Sequence, residues 1–473
     1  MEQINPTKQS QKERVVPGKQ RSYSEIIDFL DSHWQTNLGD KTFSCIKKLD
    51  QAFGSLSQKL NTILISGTNG KSLTAHFATK LFLQEGLTVG TFLSPHLLTY
   101  NERFAVGNET INNKIFAEIA NEVINMAETL NVAPNTLDIL TTMALLHFER
   151  TKVDVALIEI EEPSTFHPAT ICSPKIAAIT RVTEENAAAQ AEEAVIRRAL
   201  VIVKKGTHTV SADQSKLNLQ VMQSITQELG GTWAMPIRKL APLNYPFEQL
   251  HGRCAALAER IAYIYINEIL KRETIFDTNS SLLTKRKGQR GRPTIEAKRE
   301  SELNPRKTVE QFWKETLNTL PGHFQLLDKE KPSVLLDNAS NLDAFKNLLL
   351  GIRLLHYQRP LKGLTLILGC DNPDLAVADF LKLLRYFFKK TSGQVIVCPT
   401  KKTTGGQVST SWNVEAVTND IKSMKIKARS AQSFTEAFDA AVKTVDERHG
   451  LVVITGSSAI ISEYWRDRGL KKL

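Results

Sequence analysis

A branched apolar run, "ILIS" (63–66), stops at Gly67, passes through Thr68-Asn69-Gly70-Lys71-Ser72, and continues into "LTAHFATKLF", whose apolar residues have helical spacing. This junction constrains the chain more than any other stretch. A strand feeding a helix through a loop with two glycines is a βα unit, and an almost continuously apolar strand asks for cover on both faces. Glycines let a backbone wrap closely around a phosphate, and amides at a helix start point at its oxygens. Lys71 adds a positive charge for the outer phosphates, and Ser72 offers a hydroxyl to phosphate or to Mg²⁺. The bland alternative is a glycine-containing βα turn with an incidental lysine. The flanking strand and helix favour nucleotide binding.

The same alternation recurs. "SYSEIIDFLDSHW" has helical spacing, with Ser22 or Ser24 as N-cap. "TVGTFLS" (88–94), "VDVALIEI" (153–160) and "KIAAITRV" (175–182) read as strands of a parallel sheet flanked by helices. A second series begins with strand "SVLLD" (333–337), a helix from about 341 to 356 and strand "LTLILG" (364–369). A helix over 376–389, "QVIVCP" (394–399) and "LVVITG" (451–456) before a last helix complete it. The expected fold class is α/β: a P-loop-type, mostly parallel sheet ATPase domain, then a smaller Rossmann-like α/β C-terminal domain. We expect a polar tail over 1–21, an ATP-binding domain over 22–316 and a C-terminal domain over 317–473.

Two domains also suit 473 residues. No apolar run reaches the roughly 18–20 residues of a membrane span, and the N-terminus lacks the apolar centre of a secretory signal. Five scattered cysteines without a CxxC spacing read as reduced thiols of a cytoplasmic protein. The net charge of +10 is local: residues 1–21 carry +3 and residues 284–307 carry +6. Residues 280–310 read as an exposed basic insertion, and Arg-Gly-Arg-Pro within it is the kind of short arm that enters a minor groove. A solvated loop is the simpler reading, so no nucleic-acid partner is expected.

The wording of the motifs narrows the class. "SGTNGKS" resembles the ATP-binding signature of the Mur ligase superfamily. "TFLSPHLLTYNERFAVGNETIN" resembles the Ser-Pro-His-Leu and Asn-Glu-Arg signature of the folylpolyglutamate synthase/dihydrofolate synthase family. "LPGHFQLL", "VLLDNASNLDAF" and "LVVITGSSAIISEYWRDR" look like that family's C-terminal elements. The resemblance covers about residues 22–270 and 315–470. It implies a monomeric ligase that phosphorylates the carboxylate of a folate or dihydropteroate with ATP and joins L-glutamate to it, the C-terminal domain serving as the glutamate-ligase half. Carried over by position, Gly67, Thr68, Asn69, Gly70, Lys71 and Ser72 hold ATP, with Asp337 facing it from the second domain. Ser94 and Glu159 would ligate Mg²⁺, and Lys71 and Glu159 would be the catalytic pair. Asp138 stands where the family commonly has Glu, and His96 is expected to be structural.

The departures are concentrated. The family's second glycine-rich run is replaced by "EEPSTFHPAT" (161–170), which loses every glycine and an arginine and gains Glu161 and Glu162. Acidic groups there would repel a phosphate unless they meet a cation. The metal-binding His falls in "TRVTEENAAAQ", which offers Glu184, Glu185 or Asn186. The carbamylated lysine falls at Ala199, with Lys204 and Lys205 nearby. An arginine becomes His323 and a histidine becomes Ser340. Two other readings stay open: a non-catalytic relative that binds nucleotide or folate, and a ligase for another acid such as a peptidoglycan precursor.

Overall fold

The structure is a computed structural model describing residues 18–34, 39–184, 192–234, 239–276, 308–316, 319–369, 377–404, 407–410 and 412–473. The basic insertion therefore lies almost wholly outside the described residues, as do Glu185 and Asn186. The first sheet uses β1 (Thr62–Ser66), β2 (Val89–Phe92), β3 (Phe104–Val106), β4 (Glu109–Thr110), β5 (Val155–Glu159), β6 (Ile176–Ile179), β7 (His208–Ser211) and β8 (Thr232–Trp233). Their order is β4-β3-β2-β5-β1-β6-β7-β8, with antiparallel pairs only at the β2–β3–β4 end. β1 thus lies centrally, and the ends of β5 and β6 flank the loop that follows it.

The period of two along β1 sorts its side chains between two cores. Leu64 packs with Phe92, Phe104, Met143 and Ile158 on one face. Ile63 and Ile65 pack with Phe77, Phe82, Leu157 and Trp313 on the other. All five residues of β1 and of β5 are buried, which is why both read as continuous apolar runs.

The second sheet orders β15 (Lys427–Ser430), β12 (Gln394–Val397), β11 (Leu364–Leu368), β16 (Leu451–Thr455), β10 (Ser333–Asp337) and β9 (Gln325–Leu327). Only the β9–β10 pair is antiparallel. β13 (Lys401–Thr404) and β14 (Gln407–Thr410) form a separate hairpin. This is the expected α/β class: a large mostly parallel sheet and a second sheet in a C-terminal domain. β9, β15 and the weak pair β7–β8 were not legible as strands because they are short and only partly apolar.

Ser22 is the N-cap of the helix Tyr23–Ser32, in a capping box with Glu25. Arg21, the last residue of the expected tail, is docked: Asn121 accepts from its amide and donates to its carbonyl, both at 2.8 Å. No helix among the described residues is long and apolar enough to cross a membrane.

Candidate active site

The strand ends and the second sheet enclose a cavity of about 610 Å³, lined by Thr68 through Thr74, Ser94, Glu159, Glu161, Arg181, His251, Arg253, His323, Asp337 and Asp343, among others. Gly67 and Gly70 have φ of +130° and +89°, values that favour glycine. A Cβ on Gly67 would stand 2.2 Å from Thr180 Oγ1, and one on Gly70 2.7 Å from Cys254 Sγ. The loop is thus pressed between β6 and the helix Phe247–Tyr263. Gly70 is the N-cap of the helix Lys71–Gln84, which leaves the amides of its first turn facing the cavity.

The loop is pinned on both sides. Thr68 N donates to Arg181 O at 2.7 Å, and Thr68 Oγ1 meets both the amide and the carbonyl of Thr183. Lys71 Nζ donates to the carbonyls of Gly67 (2.9 Å), Thr68 (3.4 Å) and Glu161 (3.2 Å). Asn69 reaches the C-terminal domain, donating to Asn341 Oδ1 and Asp343 Oδ2 at 3.0 Å each and accepting from Asn341 Nδ2 at 2.8 Å. Arg181 adds an ion pair with Asp343 at 2.9 Å.

On the β5 side, Glu159 ends its strand and is buried. Its Oε2 accepts from Ser72 Oγ at 2.8 Å and from Ser94 N at 3.4 Å. Burial pushes its carboxyl up to about 7, against the pull of Lys71 and the Ser72 hydrogen bond. The Ser72 hydroxyl and the Glu159 carboxylate, side by side, are oxygen groups of the kind a hard divalent cation takes. Glu161 does not stand unpaired beside them: its carboxylate lies 3.9 Å from Arg103, so the expected repulsion meets an internal cation. Glu162 is exposed.

Asp337 ends β10 at the cavity wall, where it accepts from the amides of Phe324 (2.9 Å) and Ala339 (3.0 Å). Burial raises its carboxyl to about 7 despite those bonds. Burial holds the His251 imidazole well below its usual range, at about 3, and also lowers that of His323.

Asp138 is elsewhere: it closes the capping box with Asn135 at the start of the helix Thr136–Arg150 and is not among the cavity-lining residues. His96 accepts from Arg103 Nε at 2.9 Å and is not among the cavity-lining residues. Glu184, Ala199, Lys204 and Lys205 do not line the cavity. Ala199 is a core residue at a helix end, and Lys204 is half-buried near Cys172. Among the described residues, no group of three His, Cys, Asp or Glu side chains is arranged to hold a metal ion.

No family model matches the chain. It is 26% identical over 318 residues to the dihydrofolate synthase/folylpolyglutamate synthase of Bacillus subtilis, an alignment spanning 64% of this chain and 70% of that one. The chain resembles the folylpolyglutamate synthase/dihydrofolate synthase family. The fold agrees over nearly the whole length. It matches Mycobacterium tuberculosis folylpolyglutamate synthase complexed with ADP at a TM-score of 0.72 and 18% identity, covering 95% of this chain and 99% of that one. The Yersinia pestis bifunctional folylpolyglutamate synthase/dihydrofolate synthase complexed with AMPPNP and Mn ion matches at 0.70 and 17%, covering 95% and 98%. At such identity these two establish the fold shared with the family.

Sequence reasoning missed Arg181, Arg253, His251, Asn341 and Asp343 as cavity residues. Asn341 and Asp343 lay within a quoted element, "NASNLDAF", and an Asn before a helical run is an N-cap signal. Nothing in the sequence marked Arg181, which reaches the cavity because β6 lies beside β1.

Proposed function

We propose that the protein is an ATP-dependent amide ligase that adds L-glutamate to a folate or a dihydropteroate through an acyl phosphate. The observation that carries this reading is the junction of the loop 67–72 with Glu159 and Ser94 in one cavity that Asp337 closes from the second sheet. The loop amides and Lys71 hold the triphosphate, and Asp337 meets the nucleotide from the other side. Ser72, Ser94 and Glu159 are the residues that would hold Mg²⁺, which supplies charge neutralisation on the phosphates.

A substrate carboxylate oxygen attacks the γ-phosphorus while the bond to the ADP oxygen breaks. The amino group of glutamate then attacks the acyl carbon, inorganic phosphate leaves, and the nitrogen loses a proton. For this chain the steps depend on alignment and on excluding water between the two sheets. We place the domain boundary between residues 316 and 317, and we read the protein as a cytoplasmic monomer acting on small molecules.

The test is phosphate release from ATP with Mg²⁺ and L-glutamate, with and without dihydropteroate or tetrahydrofolate. Pterin-dependent release that disappears in Lys71→Ala supports the ligase. ATP binding without release would make the chain a non-catalytic nucleotide binder.

A further inference from the structure

Arg103 is not among the residues that the motifs marked for chemistry, yet it touches the parts of the site that differ most from the family. It ends the 3-10 turn Tyr100–Arg103 and is buried, with 3% exposure. A buried guanidinium persists only where its donors and charge are met. Here NH1 donates to Ser94 Oγ at 2.5 Å, Nε donates to His96 Nδ1 at 2.9 Å, and Glu161 lies 3.9 Å away. The rings of Trp34 and Tyr100 lie 5.4 and 5.9 Å from the guanidinium carbon.

We propose that Arg103 is a positioning residue of the cation site, fixing the Ser94 hydroxyl and taking Glu161 as its counter-charge. The inference rests on the ligase reading in one respect, that Ser94 and Glu159 are the cation's ligands. A guanidinium can only donate, so Ser94 Oγ must accept from it. The hydroxyl proton and the remaining lone pair are then turned away from Arg103. The Ser94 amide meanwhile faces Glu159 Oε2 at 3.4 Å, so the hydroxyl and the carboxylate are set from one short segment. His96 Nδ1 gives the guanidinium a second anchor.

Glu161 explains how a fixed positive charge is tolerated beside a cation site. It stands at the start of the segment that replaces the family's second glycine-rich run. Its carboxylate offsets Arg103, while its carbonyl accepts from Lys71. Without that carboxylate, Arg103 would repel the ion whose ligand it orients. Outer residues that orient metal ligands typically change metal affinity about 10–100-fold when lost.

The experiment is a Mn²⁺ titration followed by electron paramagnetic resonance in the presence of ADP, independent of turnover. The proteins are wild type, Ser94→Ala, Arg103→Gln, Ser94→Ala/Arg103→Gln and Glu161→Gln, each with a thermal melt. Ser94→Ala and Arg103→Gln are each expected to weaken Mn²⁺ binding about tenfold, with the double variant no weaker than Ser94→Ala alone. Glu161→Gln is expected to weaken it about tenfold, with its melt read alongside to separate affinity from stability. It decides the question if Arg103→Gln does not fold.

Additive losses at Ser94 and Arg103, or unchanged affinity in Glu161→Gln, would overturn the proposal. So would a wild-type protein that binds no Mn²⁺ beyond what ADP binds alone. Absence of pterin-dependent phosphate release from the wild type would sink the ligase reading and leave the Mn²⁺ comparison standing.

Discussion

Asp343→Asn removes one charge from the contact between the two sheets and keeps the side-chain shape. Asp343 receives Arg181 at 2.9 Å and Asn69 at 3.0 Å, so the same substitution weakens a link to β6 and a link to the phosphate loop. A hydrogen bond to a charged group contributes about 1–1.5 kcal/mol more than a neutral one, so the two together lose about 2–3 kcal/mol. The Arg181 and Asp343 side chains keep 30% and 13% exposure, which brings the figure to about 2 kcal/mol after solvent screening. A nucleotide held from both sheets then binds up to about 30-fold more weakly. The assay is calorimetric binding of a non-hydrolysable ATP analogue, with urea unfolding in parallel to separate binding from stability. Arg181→Met should cause a similar loss, and the double variant little more than either single. Unchanged affinity in Asp343→Asn, or fully additive losses, would refute the idea that this contact joins the nucleotide's two walls.

Three further outcomes follow from the same geometry. Gly67→Ala forces a Cβ against Thr180 Oγ1 at a φ of +130°, so ATP binding should be lost in calorimetry while circular dichroism still reports an α/β fold. Glu259 is buried, accepts from Trp313 Nε1 at 2.5 Å, and is pushed by burial from 4.5 to about 8. Its folded form holds a proton that the unfolded chain has released. Wild-type stability relative to Glu259→Gln should therefore fall as pH rises from 4.5 to about 8, by several kcal/mol at about 1.4 kcal/mol per pH unit, and then level off. Urea midpoints of both proteins across that range check it, and parallel curves would contradict it. Asn121→Ala removes both backbone bonds to Arg21 and should cost about 1–2 kcal/mol, with faster proteolysis near residue 21.

The elements that carry the chemistry were the most legible. β1, β5 and β10 have buried apolar interiors with polar residues only at their ends, so each leaves an unbroken apolar run to read. The glycine loop was legible because its two positive φ values have a residue type of their own. Asp138 illustrates the limit. It stands where the family commonly has Glu, but an acid three residues after Asn135 is also a capping-box partner, and that is the role the helix start gives it. Glu161 shows the converse: read alone it repels phosphate, and only the fold reveals that Arg103, 58 positions earlier in the chain, approaches it. Long-range pairing of this kind leaves no periodic trace in a sequence.

Lys71 already satisfies three carbonyls, two of its own loop and one from Glu161. A phosphate arriving there does not meet a bare ammonium; it must outbid oxygens that are held in place by the loop. A lone small anion has little to offer in that contest, whereas a triphosphate brings several oxygens at once and can recruit the helix amides as it displaces them. On the ligase reading proposed above, a triphosphate therefore gains more from this loop than a lone small anion does.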